Sequence, residues 1–225
     1  MPSDHLFKIL VIGRSKVGKT SFVQHYVNGV FSEGYKTTIG VDFAMKTIEW
    51  SSEQTMRLQF WDIEVSSHLS GQEDTLPFTR AFYKDAHACI IMFDLTSQKS
   101  FQYSTLLKKT VDDVILSGNG LPIPCILLGN KSDLTEHAVS SQEIEDTSRL
   151  LQFIAWKEIS VKENIHIEET VRCIVEALME KQQPDEILER ARPKDEILEN
   201  QLETKLNRNT QQSSCCGAGV KRNAF

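Results

Sequence analysis

The sequence predicts an α/β fold built on a six-stranded, mostly parallel sheet, and two observations carry this prediction. Short apolar runs alternate with stretches of helical periodicity over about the first 180 residues, as in a parallel sheet with helices on both faces. The apolar run from Leu6 to Ile12 leads into the stretch Gly13 to Thr20, where a strand should end and a helix begin. A chain of 225 residues can hold one sizeable core and a tail, or two small domains.

Each strand is predicted from a short apolar or alternating run. The strands are expected at Leu6–Gly13, Val41–Trp50, Thr55–Ile63, His87–Leu95, Ile123–Gly129 and Phe153–Ile159. The polar residues 51–54 suit a hairpin turn between the second and third strands, so one edge strand is expected to be antiparallel.

Helices are predicted to connect the strands. They are expected at about Lys19–Asn28, Leu76–Lys84, Lys99–Ser117, Ser140–Leu151 and Ile165–Lys181. The last helix carries apolar residues at core-facing spacing, namely Ile167, Val171, Ile174, Val175 and Leu178.

The composition changes near residue 183, which predicts a globular domain over residues 1–183 and a flexible, largely disordered tail over residues 184–225. Pro184 and Pro193 interrupt the tail, and the five residues 185–189 return as 195–199. Such a polar segment buries too little apolar surface to fold alone. The alternative is a short amphipathic helix that packs against a partner.

The overall charge and the cysteines restrict the class of protein. A net charge of −6 disfavours a nucleic-acid-binding face, which needs clustered Lys and Arg. The sequence contains neither an apolar run near 18 residues nor a secretory leader at its start. Cys89, Cys125 and Cys173 lie in apolar stretches, as core residues do in a reducing compartment. We therefore expect a cytoplasmic protein that does not bind nucleic acid.

The stretch from Gly13 to Thr20 matches G-x-x-x-x-G-K-[ST], the phosphate-binding P-loop. Backbone N–H groups of such a loop and of the following helix point at phosphate oxygens. Lys19 is expected to reach the β- and γ-phosphates, and the Thr20 hydroxyl to ligate Mg²⁺. The remaining predicted contacts of this loop with the nucleotide are Ser15, Lys16, Val17, Gly18 and Ser21. The alternative is a glycine turn before a helix, with no ligand.

Asn130-Lys131-Ser132-Asp133 follows the predicted fifth strand and indicates which base is bound. The Asp133 carboxylate can accept two hydrogen bonds, from guanine N1–H and from the exocyclic amine. Adenine offers no matching pair of donors, so ATP would leave this carboxylate unpaired. The alternative is a polar turn without a ligand.

Three further motifs make the chain resemble a Ras-superfamily GTPase of the Rab family over roughly residues 6–183. The stretch Thr37 to Phe43 resembles the Rab switch I and its effector-reading strand. Leu58 to Asp62 is similar to the strand before switch II, and Ser160-Val161-Lys162 to the last guanine-binding loop. The resemblance implies a P-loop G domain that binds and hydrolyses GTP with Mg²⁺ as cofactor. The subgroup it resembles serves lysosome-related organelles and the trans-Golgi.

The resemblance also implies roles for single residues. Thr38 and Asp62 would join Thr20 at Mg²⁺, and Phe31 and Tyr35 would pack on the base and over the phosphates. Asn130, Lys131, Asp133, Ser160, Val161 and Lys162 would contact the guanine side of GTP. In catalysis, Gly71 would bond the γ-phosphate and Gln72 would orient the attacking water, with Lys19 stabilising the transferred phosphoryl group.

A surface for partner proteins is implied in the same way. Its predicted residues are Ile39, Gly40, Val41, Asp42, Phe43, Trp61 and Phe82. The partners would be an exchange factor, a GTPase-activating protein, a GDP-dissociation inhibitor or escort protein, and effectors that bind the GTP form. The chain is expected to be a monomer.

The sequence departs from the family pattern after Asp62. The seven residues 64–70 stand where the family has one alanine before Gly71 and Gln72. A longer loop costs on the order of 1 kcal/mol or less, so the fold is expected to survive. Misplacing a catalytic group by about 1 Å can slow a reaction ~10²-fold, which makes a GTP-binding scaffold with impaired hydrolysis the alternative function. His68 could act as a substitute base or be a solvated bystander, and the segment could be translated intron.

The end of the tail carries Cys215 and Cys216, which resemble the doubly geranylgeranylated pair of Rab proteins. Nine residues, Gly217 to Phe225, follow them, whereas the family's cysteines lie at or near the terminus. The extension could be an isoform artefact, the cysteines could be palmitoylated, or the chain could lack lipid. If lipidated, the protein is expected on the cytosolic face of Golgi, endosome or lysosome-related membranes.

A small-molecule or nucleoside kinase is the third interpretation of the P-loop. Such an enzyme needs a lid that binds the phosphate acceptor. The sequence has no segment of suitable length apart from the predicted switch regions, so this interpretation is the weakest.

Overall fold

The computed structural model describes residues 3–31, 41–63, 82–115 and 120–191. The strands are β1 (Ser3–Gly13), β2 (Val41–Ser51), β3 (Gln54–Ile63), β4 (Ala88–Asp94), β5 (Cys125–Asn130) and β6 (Ala155–Glu158). The helices are α1 (Lys19–Asn28), α2 (Gln98–Val114), α3 (Ser141–Leu150) and α4 (Ile167–Ala191). Each predicted strand is present, with bounds that move by up to three residues. The helix predicted at Leu76–Lys84 lies outside the described residues except for its end, where residues 82–85 form a turn.

The strands form one sheet in the order β2-β3-β1-β4-β5-β6. β2 runs antiparallel to β3, and the remaining neighbours are parallel. The predicted fold class is therefore confirmed, including the antiparallel edge strand. The helix that follows β1 packs on one face of the sheet, and the helix that follows β4 packs on the other face. In such a sheet the crevice at the carboxyl ends of the two strands is where ligands bind.

The sheet separates two apolar layers, which explains the sequence pattern of the strands. In β1, Phe7, Ile9 and Val11 face the layer that contains α1 and α4, while Leu10 and Ile12 face the layer that contains α2. β4 and β5 are buried along their whole length, so before their polar last residues they are continuous rather than alternating in sequence, without exposed polar positions. The five apolar residues predicted on the core face of α4 are all buried.

α4 departs from the prediction because it runs past Lys181 to Ala191, through Pro184. Proline is unfavourable inside a helix, since it lacks an N–H and disfavours the helical conformation in the residue before it. A proline inside a helix removes one backbone hydrogen bond and crowds the carbonyl four residues earlier, but the helix of this chain continues through it. The chain divides into two units, Met1–Met179 and Glu180–Phe225. The site residues discussed below that have a described position lie in the first.

Candidate functional site

The P-loop turns tightly at the carboxyl end of β1. Gly13 ends this strand beside Met92 of β4, and a Cβ at Gly13 would collide with the Met92 carbonyl oxygen. Gly18, with a φ of 102°, precedes α1, and no side chain caps this helix. The first N–H groups of α1 therefore face the loop and are not capped by a side chain. Helix N-termini arranged in this way bind phosphate in P-loops.

Lys19 is the most buried charged side chain of the loop. It is 3% exposed, and its Nζ donates a hydrogen bond of 3.2 Å to the Arg14 carbonyl. The ammonium thus folds over the loop, where a phosphate would lie. Lys16 has a left-handed φ of 68°, which helps the loop to turn. The other predicted phosphate contacts, Ser15, Val17 and Ser21, lie on this loop or on the first turn of α1.

The predicted metal ligands Thr20 and Asp62 come from separate elements and are brought together. Thr20 Oγ1 donates a hydrogen bond to Asp62 Oδ2. Asp62 is 1% exposed because β3 pairs with β1 at this point, where Asp62 lies opposite Val11. A hydroxyl and a carboxylate at a shared position are ligands that Mg²⁺ accepts, so the residues present fit this ion. The third predicted ligand, Thr38, lies outside the described residues.

Asn130 joins three loops at the centre of the site. Its Nδ2 donates to the Val17 carbonyl at 2.8 Å, and its Oδ1 accepts from the Val161 N–H at 3.2 Å. The side chain packs so closely on Gly18 that a Cβ there would collide with Asn130 Nδ2. Asn130 is 4% exposed, and the atoms it contacts are buried. It therefore braces the P-loop against the two predicted guanine-binding loops, a role that the sequence did not reveal.

Asp133, the predicted guanine ligand, is held in place by the last loop. Ser160 Oγ donates to Asp133 Oδ1 at 2.6 Å and also accepts from the Glu163 N–H at 3.0 Å. Ser160 is fully buried, whereas Asp133 is half-buried and Lys162 is exposed. One oxygen of the Asp133 carboxylate is thus fixed from behind, which orients the group.

A second carboxylate at this edge of the sheet, Asp94, was not predicted from the sequence. Its Oδ2 forms an ion pair of 2.5 Å with Lys131 Nζ, and its Oδ1 accepts from the N–H and the hydroxyl of Thr96. Burial raises the pKa of Asp94, but the bonds from Lys131 and Thr96 outweigh it and hold the pKa below its usual value. The sequence feature that could have indicated Asp94 is its position directly after the apolar residues 88–93.

Phe43 and Trp61, from the predicted effector surface, lie side by side on β2 and β3. Their ring centroids are 5.8 Å apart at an interplanar angle of 73°, and Phe43 is 50% exposed. Lys8 Nζ lies 4.2 Å from the Trp61 ring centroid and donates to the Lys84 carbonyl at 2.8 Å. Phe82 packs on the α2-side apolar layer, as Trp61 also does. Val41 and Asp42 precede Phe43 on β2.

One further predicted site residue lies within the described part of the chain, and several do not. Phe31 is described and packs, partly buried, against the layer that contains α1 and α4. The remaining ones lie outside the described residues: Tyr35, Ile39, Gly40, the segment 64–70 with His68, Gly71, Gln72, Cys215 and Cys216. Among the helices that the structure describes, none has the length and apolar character needed to cross a membrane.

The fold and the loop from Gly13 to Thr20 define a P-loop nucleotide-binding domain, and comparisons with known proteins agree. The model of the Ras family matches residues 8–180. Ras-related protein Rab-7L1 of Rattus norvegicus is 47% identical over 182 residues, which cover 81% of this chain and 86% of that protein. Rab-7L1 of Homo sapiens is 47% identical over 176 residues, covering 78% and 84%. Ras-related protein Rab-32 of Homo sapiens is 40% identical over 177 residues, covering 78% and 76%.

The chain belongs to the Ras family and, within it, to the Rab small GTPases of the subgroup that includes Rab-7L1 and Rab-32. Members of this family bind GTP and GDP with Mg²⁺ and hydrolyse GTP to GDP and phosphate. They act as switches in membrane trafficking, together with exchange factors, GTPase-activating proteins and effectors.

Proposed function

We propose that this chain is a guanine-nucleotide switch whose base selectivity depends on Asp133. The observation that carries this proposal is the pair of bonds at the last loop: Ser160 holds one oxygen of Asp133 while Asn130 holds the Val161 N–H. A carboxylate fixed in this way accepts from guanine N1–H and its amine. Adenine offers no such pair of donors, so ATP would lose these two hydrogen bonds; a hydrogen bond to a charged group contributes about 1.5–3 kcal/mol.

The experiment is a displacement titration of bound fluorescent GDP. GTP should displace it from the wild type at far lower concentration than ATP. Asp133→Asn should shift the preference toward xanthosine triphosphate, because an amide can donate to the carbonyl that replaces the amine. Asp146→Asn, at an exposed position on α3, is the matched control and should leave the preference unchanged. Equal displacement of GDP from the wild type by ATP and GTP would contradict the guanine assignment.

The phosphate end of the site is formed by Lys19, Thr20 and Asp62, with Thr38 as the proposed fourth member. Lys19 lies over the loop and would stabilise negative charge on the phosphates. Thr20 and Asp62 already share a hydrogen bond and would hold Mg²⁺ there. A bound Mg²⁺ would offset the charge of the β- and γ-phosphates.

A second candidate function is a GTP-binding scaffold that hydrolyses slowly, and the loop after Asp62 favours it. Asp62 is fixed at the end of β3, but seven residues separate Ile63 from Gly71. We propose that Gln72 is placed for catalysis only part of the time, which lowers the rate by about that fraction. GTP binding is expected to remain tight, since Lys19 and Asp62 precede the loop.

Single-turnover hydrolysis separates the two candidates. A variant in which one alanine replaces residues 64–70 should hydrolyse GTP roughly 10-fold faster or more, a barrier change of ~1.4 kcal/mol. Gln72→Ala in both backgrounds is the control: it should abolish the gain in the short-loop protein and change the full-length protein little. Equal rates for the two loop lengths would show that Gln72 is already well placed.

The exposed Phe43 ring, packed against the partly buried Trp61, supports an effector surface on this switch. We propose that this face, together with the predicted residues of switch I, binds the partner proteins. These are effectors, the exchange factor, the activating protein and the GDP-dissociation inhibitor or escort protein. Attachment to Golgi, endosome or lysosome-related membranes would require lipid on Cys215 and Cys216.

A further inference from the structure

The ion pair between Asp94 and Lys131 links the sheet to the proposed base-binding end of the site. Asp94 is the last residue of β4 and lies opposite Asn130 of β5, so it is adjacent to the loop that begins with Lys131. The whole residue is 9% exposed. A carboxylate this far buried stays charged only where donors compensate for the lost water.

Both oxygens of Asp94 have donors, which fixes the orientation of the carboxylate. Oδ1 accepts from the Thr96 N–H at 2.9 Å and from the Thr96 hydroxyl at 2.7 Å. Oδ2 is therefore turned toward Lys131 Nζ, 2.5 Å away. Thr96 belongs to the same turn as Asp94, so its two bonds orient the carboxylate independently of the lysine.

Lys131, by contrast, would be free to move without this contact. Its backbone has a left-handed φ of 71°, and its side chain is 35% exposed. A long side chain on a loop loses considerable rotamer entropy when it is held in one place. Lys131 lies between Asn130, which braces the P-loop, and the base-selecting Asp133. An ammonium has three N–H donors, so the bond to Asp94 does not exhaust it.

We propose that Asp94 is a positioning residue for the nucleotide: it holds the Lys131 side chain ready at the base-binding end of the cleft. This inference rests on the proposed guanine-nucleotide function, in which Lys131 is a nucleotide contact. Asp94 then governs how long a nucleotide stays bound, whereas Asp133 governs which base is chosen. A merely structural ion pair would stabilise the fold without changing nucleotide release in a way that depends on Lys131.

The first measurement is the dissociation rate of fluorescent GDP at fixed Mg²⁺. Asp94→Asn should release GDP about tenfold faster, which corresponds to about 1.4 kcal/mol. The order of preference among GTP, xanthosine triphosphate and ATP should stay unchanged. The matched control is Asp113→Asn, at an exposed position on α2, which should release GDP at the wild-type rate. Equal release from Asp94→Asn and Asp113→Asn would overturn the proposal.

A double-mutant cycle with Lys131→Ala tests whether Asp94 acts through the lysine. Lys131→Ala should itself speed release, and adding Asp94→Asn to it should change the rate less than about twofold, because coupled residues are not additive. A full tenfold effect in the Lys131→Ala background would mean that Asp94 acts on the fold, and would refute the positioning role.

A milder variant covers the case in which Asp94→Asn does not fold. Thr96→Val removes the hydroxyl bond to Asp94 and keeps the charge, so it should speed release by a few-fold, and only when Lys131 is present. A Lys131→Ala variant that releases GDP at the wild-type rate would overturn the proposal as well. A wild-type protein that binds no guanine nucleotide would instead refute the proposed function, so the two failures are distinguishable.

Discussion

Replacing Asn130 should weaken the fold and the nucleotide site together, because one buried amide braces three loops. In Asn130→Ala, the Val17 carbonyl and the Val161 N–H both lose their partner. Each buried group left unpaired costs about 1–3 kcal/mol, and water entering the cavity recovers part of this. We expect a loss of about 3 kcal/mol in the free energy of unfolding. For a chain of this size that lowers the unfolding midpoint by roughly 6–12 °C.

Asn130→Asp refines the test because the shape of the side chain is preserved. It keeps an acceptor for the Val161 N–H, but it sets a second oxygen against the Val17 carbonyl and buries a charge. Its effect should be no smaller than that of Asn130→Ala. Asn28→Ala, at the exposed end of α1, is the matched control, since alanine in a helix is at least as favourable as asparagine.

The assay is thermal unfolding with nucleotide removed and with saturating GDP and Mg²⁺. The midpoint of Asn130→Ala should fall in both conditions, and the rise produced by GDP should shrink, because ligand stabilisation follows the dissociation constant. A midpoint for Asn130→Ala within about 2 °C of the Asn28→Ala control would refute the bracing role of Asn130.

Three further predictions address the metal, a titrating histidine and the tail. Thr20→Asn should lose GTP more than GDP, since the hydroxyl bonded to Asp62 is a proposed Mg²⁺ ligand; dissociation rates of the two fluorescent nucleotides check this. The pKa of His87 is lowered mainly by burial, with Lys8 adding to this and Asp85 opposing it, and its neutral Nδ1 accepts from the Lys8 N–H at 3.1 Å. As the pH drops, the unfolded chain therefore takes up this proton before the folded protein does. The free energy of unfolding should fall as the pH drops from about 6.5 through the lowered pKa of the folded state. His87→Gln should flatten this decline, which unfolding midpoints measured from about pH 7.5 to 5 would show. Truncation after Cys216 should permit double geranylgeranylation in vitro, whereas intact mass should show the full-length chain unmodified; efficient modification of the full-length chain would contradict this.

The sheet could be predicted from the sequence because each strand carries a local signal. β4 and β5 lack the polar alternation of a half-exposed strand until their last residues, and the P-loop pattern marks the end of β1. The end of α4 could not be predicted, because Pro184 is an unfavourable residue for a helix interior that this helix nevertheless contains.

The sequence predicts which residues contact the nucleotide, but not the contacts that hold those residues in place. Lys19, Thr20 and Asp133 belong to motifs whose spacing implies a phosphate or a base nearby. The contacts of Asn130 with Val17, and of Asp94 with Lys131, join residues from different loops and depend on the register of β4 and β5. A sequence pattern reports neighbours along the chain, so contacts that exist only after the strands have paired leave little trace in it.

The nucleotide that copurifies with the protein tests the central claim most directly. Protein purified in the presence of Mg²⁺ should release guanine nucleotide on acid denaturation, in near-stoichiometric amount when separated by chromatography. Asp133→Asn, purified in parallel, should release much less. The fraction present as GTP should be higher for the natural loop than for the variant with one alanine in place of residues 64–70. Release of adenine nucleotide, or a folded protein that neither carries nor takes up guanine nucleotide, would contradict the account.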